Sequence, residues 1–143
     1  LHTPHIRDEY LDFIHRTKTS HFGFNIDFGT FQYKASQDMV GLPWLNFDDI
    51  SKPEEIVDFL PYSYVCHAKF TYMNENFEEE TIPYPEVIKL MVDNGWSGDL
   101  LSEYEGGIRF FAEEGPEKFA QAMEHIPDQV RRHQIMLRNI LGY

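Results

Sequence analysis

Apolar side chains along this chain alternate between a helical and a strand spacing. Apolar residues three, four or seven positions apart predict amphipathic helices, and short runs of β-branched and aromatic residues predict strands. The helical spacing covers five segments: Arg7–Lys18, Ser51–Leu60, Pro85–Gly95, Pro116–His125 and Pro127–Leu141. The strand spacing covers three segments: His21–Phe31, in which the strand ends at Asp27 and Gly29, then Tyr64–Tyr72 and Asp99–Tyr104. Residues 32–50 follow neither pattern and predict a long loop.

Local signals set several of these boundaries. The segment Ser51-Lys52-Pro53-Glu54 has the composition of a capping box with an early proline, and Pro61 is expected to end the helix that follows. Asn94-Gly95 predicts a helix C-cap, because glycine adopts the left-handed conformation at little cost. The acidic segment from Asn74 to Glu80 is expected to be a solvated turn.

The order of the elements predicts the fold class. Strands that alternate with helices favour parallel strands joined by crossover helices. Three parallel strands alone would leave two sheet edges exposed. A (β/α)8 barrel takes about 250 residues, and the 143 residues here supply a little more than half of one. We therefore predict a single α/β domain over residues 1–143 that forms the C-terminal part of a TIM barrel, with three βα units and C-terminal helices.

Charge and cysteine content exclude several classes of function. The net charge is −12, from 24 acidic and 12 basic side chains, so the chain repels phosphate backbones and anionic membrane surfaces. We expect neither nucleic acid nor a membrane as a partner. The single cysteine, Cys66, cannot form an internal disulfide, which favours a reducing compartment and predicts a cytoplasmic protein. No apolar run approaches the roughly 20 residues of a membrane span.

A metal-capable side chain stands at the end of each predicted strand: Asp27, His67 and Glu103, spaced 40 and 36 residues apart. The carboxyl ends of parallel strands share one edge, where sites are built, so these side chains could converge. One imidazole and two carboxylates suit a divalent ion such as Mn, Co, Mg or Zn. The alternative is structural: Asp27 starts a turn, His67 is a half-buried strand residue, and Glu103 is one surface acid among 24.

Two cations could act on a substrate near this edge. Lys69 lies two residues after His67 and therefore shares its face of the strand, where an ammonium group could stabilise negative charge on a substrate oxygen. A salt bridge to a neighbouring acid is the alternative. Arg109 follows the third strand and could reach a sugar hydroxyl or lie at the surface. Cys66 adjoins His67 but points to the opposite face, which argues against a Cys-His nucleophile pair.

Four segments carry a resemblance to a known family: FGFNIDFGTF, YVCHAKF, IPYPEVIKLMVDNGWSGDLLSEYEG and RRHQIMLRNILGY. Together they resemble the C-terminal half of the xylose isomerase-like sugar isomerase/epimerase superfamily, over roughly residues 1–141. Within that superfamily they resemble the branch that contains the catalytic subunits of C-glycoside deglycosidases. The third segment is the most specific, because a helix, a Gly-Trp-Ser-Gly turn and a strand ending in Glu-Tyr-Glu-Gly follow in order.

The resemblance implies a metal held by Glu, Asp, His and Glu from successive strands. Asp27 and His67 match the Asp and the His, and Glu103 matches the final Glu, with Glu105 as a competing acid past the motif position. The first Glu has no counterpart here and would fall just before residue 1. His2 could be the histidine that follows that Glu in the family and contacts substrate.

One departure concerns substrate handling. The family's Asp-x-x-His is Asp27-x-x-Thr30 in this chain, which removes that histidine.

The function that the resemblance implies is a metal-dependent sugar isomerase or epimerase, in which Glu103 moves a proton beside a sugar carbonyl. Two alternatives stay open: the catalytic subunit of a C-glycoside deglycosidase, which would cleave a keto-sugar glycoside as a lyase, and a non-catalytic half-barrel that serves in binding or assembly. The superfamily's DNA-repair endonuclease branch is disfavoured by the −12 charge. The expected partners are a sugar or glycoside substrate and the N-terminal half of the barrel or another subunit, in an oligomer.

Overall fold

The computed structural model describes residues 7–18, 21–33, 50–106 and 115–143. It contains three α-helices, α1 (Arg7–Thr17), α2 (Tyr84–Asp93) and α3 (Pro116–Leu141), and three strands, β1 (Phe24–Asp27), β2 (Ser63–Phe70) and β3 (Asp99–Tyr104), in these described ranges. Two 3₁₀ helices, Phe28–Phe31 and Pro53–Tyr62, follow β1 and precede β2. None of the helices in the described ranges is long and apolar enough to cross a membrane.

The three strands form a parallel sheet in the order β1-β2-β3. Asp27 lies opposite His67 across the first pair of strands, and Lys69 lies opposite Glu103 across the second. The parallel arrangement predicted from the order of elements is therefore confirmed. It brings the carboxyl ends of all three strands to one edge, while closure of the sheet into a barrel remains a prediction.

The two faces of the sheet differ in burial. Cys66, Ala68 and Phe70 point to one face and are fully buried in the core, which also contains apolar residues of α2 and α3: Val87, Ile88, Met91, Met136 and Leu137. The alternate residues point to the other face, where Leu101 keeps 49% of its surface exposed. The helices thus cover one face, and the predicted site residues lie on the more open one.

Two predicted boundaries are wrong. The segment before β2 is a short helix as predicted, of the 3₁₀ type, but Pro61 lies inside it instead of ending it. The predicted helices Pro116–His125 and Pro127–Leu141 are one continuous helix, α3. A proline inside an α-helix costs about 3 kcal/mol. The residues of α3 that follow it are anchored in the core, and we attribute the continuity of the helix to that packing.

The acidic segment after β2 is only partly solvated, because Glu79 is buried. Its carboxylate accepts hydrogen bonds from the Thr81 amide and hydroxyl, the Ile82 amide and the Thr71 hydroxyl, at 2.6, 2.6, 2.7 and 3.4 Å. Burial raises the pKa of Glu79 despite these donors. The expectation of a solvated turn is therefore wrong at Glu79. The sequence does not distinguish an acid that accepts hydrogen bonds from its own loop from an acid at the surface.

Candidate metal centre

Asp27, His67 and Glu103 come together at the carboxyl edge of the sheet. Each offers one ligand atom, and these three atoms lie within 4.8 Å of one another. His67 Nδ1 is 2.9 Å from Glu103 Oε2, and both side chains keep more than a third of their surface exposed. Residues 40 and 36 positions apart in the sequence thus share one small volume, as the spacing predicts. His67 lies within β2 rather than at its end, because β1 ends at the level of His67.

Local contacts fix the first two of these side chains. Strand β1 ends at Asp27 because the chain turns into a 3₁₀ helix there, and Asp27 Oδ1 accepts a 2.8 Å hydrogen bond from the Gly29 amide. The register of β1 against β2 shifts between Phe24 and Asn25. The Asn25 side chain accepts a 3.1 Å hydrogen bond from the main-chain amide of His67. Asn25 was not singled out from the sequence, because a register shift leaves no local signal.

Lys69 forms ion pairs on the same face. Its Nζ lies 2.8 Å from Asp27 Oδ2 and 3.2 Å from Glu105 Oε1. Burial by itself lowers the pKa of the ammonium group, but the hydrogen bonds and charges of Asp27 and Glu105 outweigh it and raise the pKa above its usual value. Lys69 therefore forms the salt bridge that was the alternative to a substrate contact. Its positive charge lies beside Asp27, a candidate metal ligand.

The donor set fits a divalent cation. Asp27, Glu103 and Glu105 carry three negative charges, and Lys69 balances one of them. Within the described part of the chain, Glu103 Oε2 is a buried oxygen without a hydrogen-bond partner, although it lies close to His67 Nδ1. A buried carboxylate oxygen usually has a partner, and a cation between the two ligand atoms would provide one. One nitrogen and two carboxylate donors suit a divalent ion such as Mn, Co, Mg or Zn.

Two other predicted site residues, His2 and Arg109, lie outside the described residues. A separate cleft of about 400 Å³ lies on the helix side of the sheet between Tyr72, Tyr104, His125 and Arg132. Tyr104 follows Glu103 directly but points to the opposite face of the sheet. The cleft and the metal-capable cluster therefore lie on different faces.

Parts of the chain are similar to known proteins, although no protein-family model matches it. The C-glycoside deglycosidase alpha subunit of Microbacterium trichothecenolyticum is 44% identical over 46 residues, which is 32% of this chain and 12% of that protein. A C-glycoside deglycosidase alpha subunit of Arthrobacter globiformis is 36% identical over 61 residues, 43% of this chain and 17% of that protein.

A third relative has a more specific name. The 3'-dehydrocarminate deglycosidase alpha subunit of a Microbacterium species is 34% identical over 55 residues, 38% of this chain and 16% of that protein. In each of these three relatives the match covers less than a fifth of the relative's own length. The chain thus has partial sequence similarity to deglycosidase alpha subunits, among them C-glycoside deglycosidase alpha subunits.

Proposed function

We propose that this chain contributes a divalent-metal site to an enzyme that cleaves C-glycosides. The observation that carries the proposal is the convergence of Asp27, His67 and Glu103 within 4.8 Å on the open face of the sheet. The partial similarity to C-glycoside deglycosidase alpha subunits supports the substrate class and favours it over a sugar isomerase or epimerase.

Each residue of the site has a separate task in this proposal. Asp27, His67 and Glu103 would hold the metal, which when bound supplies Lewis-acid polarisation of a sugar oxygen. The Glu103 side chain is 37% exposed, so its carboxylate can also reach a substrate and accept the proton from a carbon beside a carbonyl. Lys69 holds the Asp27 carboxylate in place through their 2.8 Å ion pair.

Cleavage and isomerisation would share this first step. When the proton leaves the carbon beside the carbonyl, its bonding electrons remain on the sugar. An isomerase or epimerase would return a proton to the sugar, whereas a C-glycoside lyase would expel the aglycone, whose carbon then takes up a proton. The Glu103 carboxylate can accept the proton in either reaction. The substrate then determines whether the aglycone leaves or a proton returns to the sugar.

The proposed enzyme is an assembly. The relatives carry the name alpha subunit and are much longer than the part matched here. We infer that this chain functions together with further barrel strands and another subunit, with a sugar or glycoside as the substrate.

Metal binding tests the proposal directly. Mn²⁺ should bind to the complete enzyme at one ion per copy of this chain, and the His67→Ala variant should lose it, because the change removes one of the three ligands and the only nitrogen donor among them. Titration followed by electron paramagnetic resonance of free Mn²⁺ measures this. The control is His125→Ala, which removes an exposed histidine of α3. Unchanged stoichiometric binding in His67→Ala, or no binding to the wild-type enzyme, would overturn the metal assignment.

A further inference from the structure

We propose that His133, a fully buried residue of α3, is a positioning residue for the candidate metal centre. It would act through the main chain of β2 and β3, the strands that carry His67 and Glu103. The inference rests on the metal site proposed above. It adds a residue that neither the strand-end pattern nor the similarity to other proteins assigns.

His133 lies in the middle of a chain of hydrogen bonds that crosses the helix side of the sheet. Gln134 Nε2 donates to Ser102 Oγ, which lies 2.8 Å from His133 Nδ1. On the other side of the ring, His133 Nε2 lies 2.9 Å from the Tyr84 hydroxyl. That hydroxyl donates a 2.7 Å hydrogen bond to the main-chain carbonyl of Lys69. This chain of hydrogen bonds therefore connects Ser102, the residue before Glu103, to the main chain of Lys69.

The direction of these bonds follows from the number of protons available. The Tyr84 hydroxyl has one proton and gives it to Lys69, so it must accept one from His133 Nε2. His133 Nδ1 is then bare and accepts the proton of the Ser102 hydroxyl. Burial lowers the pKa of His133 to about 3, in agreement with a neutral ring. Both ring nitrogens are used, and an apolar side chain could not replace them.

The Lys69 carbonyl needs this partner because of where β1 ends. The Glu105 amide donates to the Phe70 carbonyl across β2 and β3 at 2.8 Å. Successive carbonyls of a strand point to opposite sides, so the Lys69 carbonyl points toward β1. The last residue of β1 is Asp27, opposite His67, so among the described strands no ladder partner is left at this level. Tyr84 supplies the missing donor, and His133 holds Tyr84 in place.

The two ends of the hydrogen-bond chain act on the metal centre through neighbouring atoms. The Lys69 side chain pairs with Asp27 at 2.8 Å while its carbonyl is held by Tyr84. Ser102 immediately precedes Glu103 on β3. The His133 ring also stacks on Phe70, with centroids 4.1 Å apart and the planes 7° from parallel. Removing a group that hydrogen-bonds a metal ligand changes metal affinity by about 10–100-fold, and we expect the lower end of that range because His133 acts through the main chain.

The test separates positioning from packing. His133→Phe keeps an aromatic ring on Phe70 but removes both hydrogen bonds. We expect the dissociation constant for Mn²⁺ to rise about tenfold and the visible absorption of bound Co²⁺ to shift, since that spectrum reports ligand geometry. The matched control is Leu137→Val, a buried substitution in the same helix outside the hydrogen-bond chain. It should lower the melting temperature without changing either metal signal.

Two further variants keep the result interpretable if His133→Phe does not fold. Tyr84→Phe removes one hydroxyl and should weaken Mn²⁺ binding in the same direction. His133→Gln places an amide nitrogen where it can donate to Tyr84, so it should recover part of the lost affinity. Wild-type Mn²⁺ binding that persists unchanged in both His133→Phe and Tyr84→Phe would overturn this inference alone. A wild-type enzyme that binds no Mn²⁺ would overturn the proposed metal site and this inference together.

Discussion

Asp27 uses its two carboxylate oxygens for different purposes. Oδ1 accepts the Gly29 amide at 2.8 Å, which fixes the carboxylate at the strand end, and Oδ2 pairs with Lys69. Each carboxylate oxygen has two lone pairs, so these bonds leave room for a cation. Gly29 belongs to the same arrangement, because a Cβ there would lie 2.9 Å from Lys69 Cδ. Gly29 lies in a turn, and its lack of a side chain thus allows the Lys69 side chain to approach Asp27.

The proposed proton transfer assigns different roles to two neighbouring acids. Glu103→Gln in the complete enzyme should lose turnover by roughly 10²–10⁴-fold, the usual contribution of a general base, and should lose less in metal affinity. The amide keeps one oxygen donor but cannot accept the proton. Steady-state kinetics and Mn²⁺ titration measure the two effects.

Glu105→Gln is the matched control and should cost far less, since Glu105 contacts Lys69 at 3.2 Å and stands past the strand end. Incubation with a keto-sugar in deuterated water should exchange the hydrogen beside the carbonyl in the wild type and not in Glu103→Gln. Equal activity of the two variants, or an active wild type without exchange, would contradict the mechanism.

At the scale of elements, the turn from α2 to β3 joins the helix layer to the start of β2. Gly95 has a φ of +74°, the left-handed conformation that ends α2. The indole nitrogen of Trp96 then donates a 2.6 Å hydrogen bond to the Ser63 carbonyl. Gly98 passes so close to β2 that a Cβ would lie 2.4 Å from the Tyr64 carbonyl oxygen. Gly95 is therefore required for its left-handed conformation, and Gly98 for the absence of a Cβ.

Substitution of each glycine by alanine should distinguish the cost of the left-handed conformation from the cost of the close contact. Gly95→Ala meets no atom within 4 Å and should lower the free energy of unfolding by about 1–2 kcal/mol, the cost of a left-handed conformation for a residue with a Cβ. Gly98→Ala should cost more, because the main chain of β2 or of the turn has to move. Urea denaturation measures both. A Gly98→Ala protein as stable as the wild type would show that the close approach is not required.

At the scale of the whole molecule, the sheet has one covered face and one more open face that carries the candidate site. Large apolar side chains are exposed in the described residues, among them Phe13, Phe22, Tyr64 and, on the open face, Leu101. Exposed apolar surface marks an interface where it is contiguous. It fits the prediction that further strands complete the sheet.

The isolated 143-residue chain should therefore self-associate or bind the remaining part of its enzyme. Analytical ultracentrifugation at micromolar concentration should show dimers or larger species, because β1 and β3 leave unpaired edges in the described sheet. Leu101→Lys, on the open face, should shift the distribution toward monomer. A compact and soluble wild-type monomer would argue against a partial barrel.

Spacing along the sequence by itself predicted most of the helix and strand segments, the parallel order and the convergence of Asp27, His67 and Glu103 on one face, although His67 lies within β2. These features depend on side-chain periodicity and on short-range signals such as Asn94-Gly95, which operate within one element. The alternation of side chains along a strand also placed Cys66 and His67 on opposite faces, as the structure shows.

Only the tertiary structure decided the contacts that depend on residues far apart in the chain. Glu79 is buried because the loop folds back on it, and α3 continues past Pro127 while its later turns pack in the core. The pairing of Lys69 with Asp27 joins residues from two strands, and His133 reaches Ser102 and Tyr84 from a third element. Local patterns cannot specify such partners, because their free energy comes from burial and hydrogen bonds that exist only once the elements have packed.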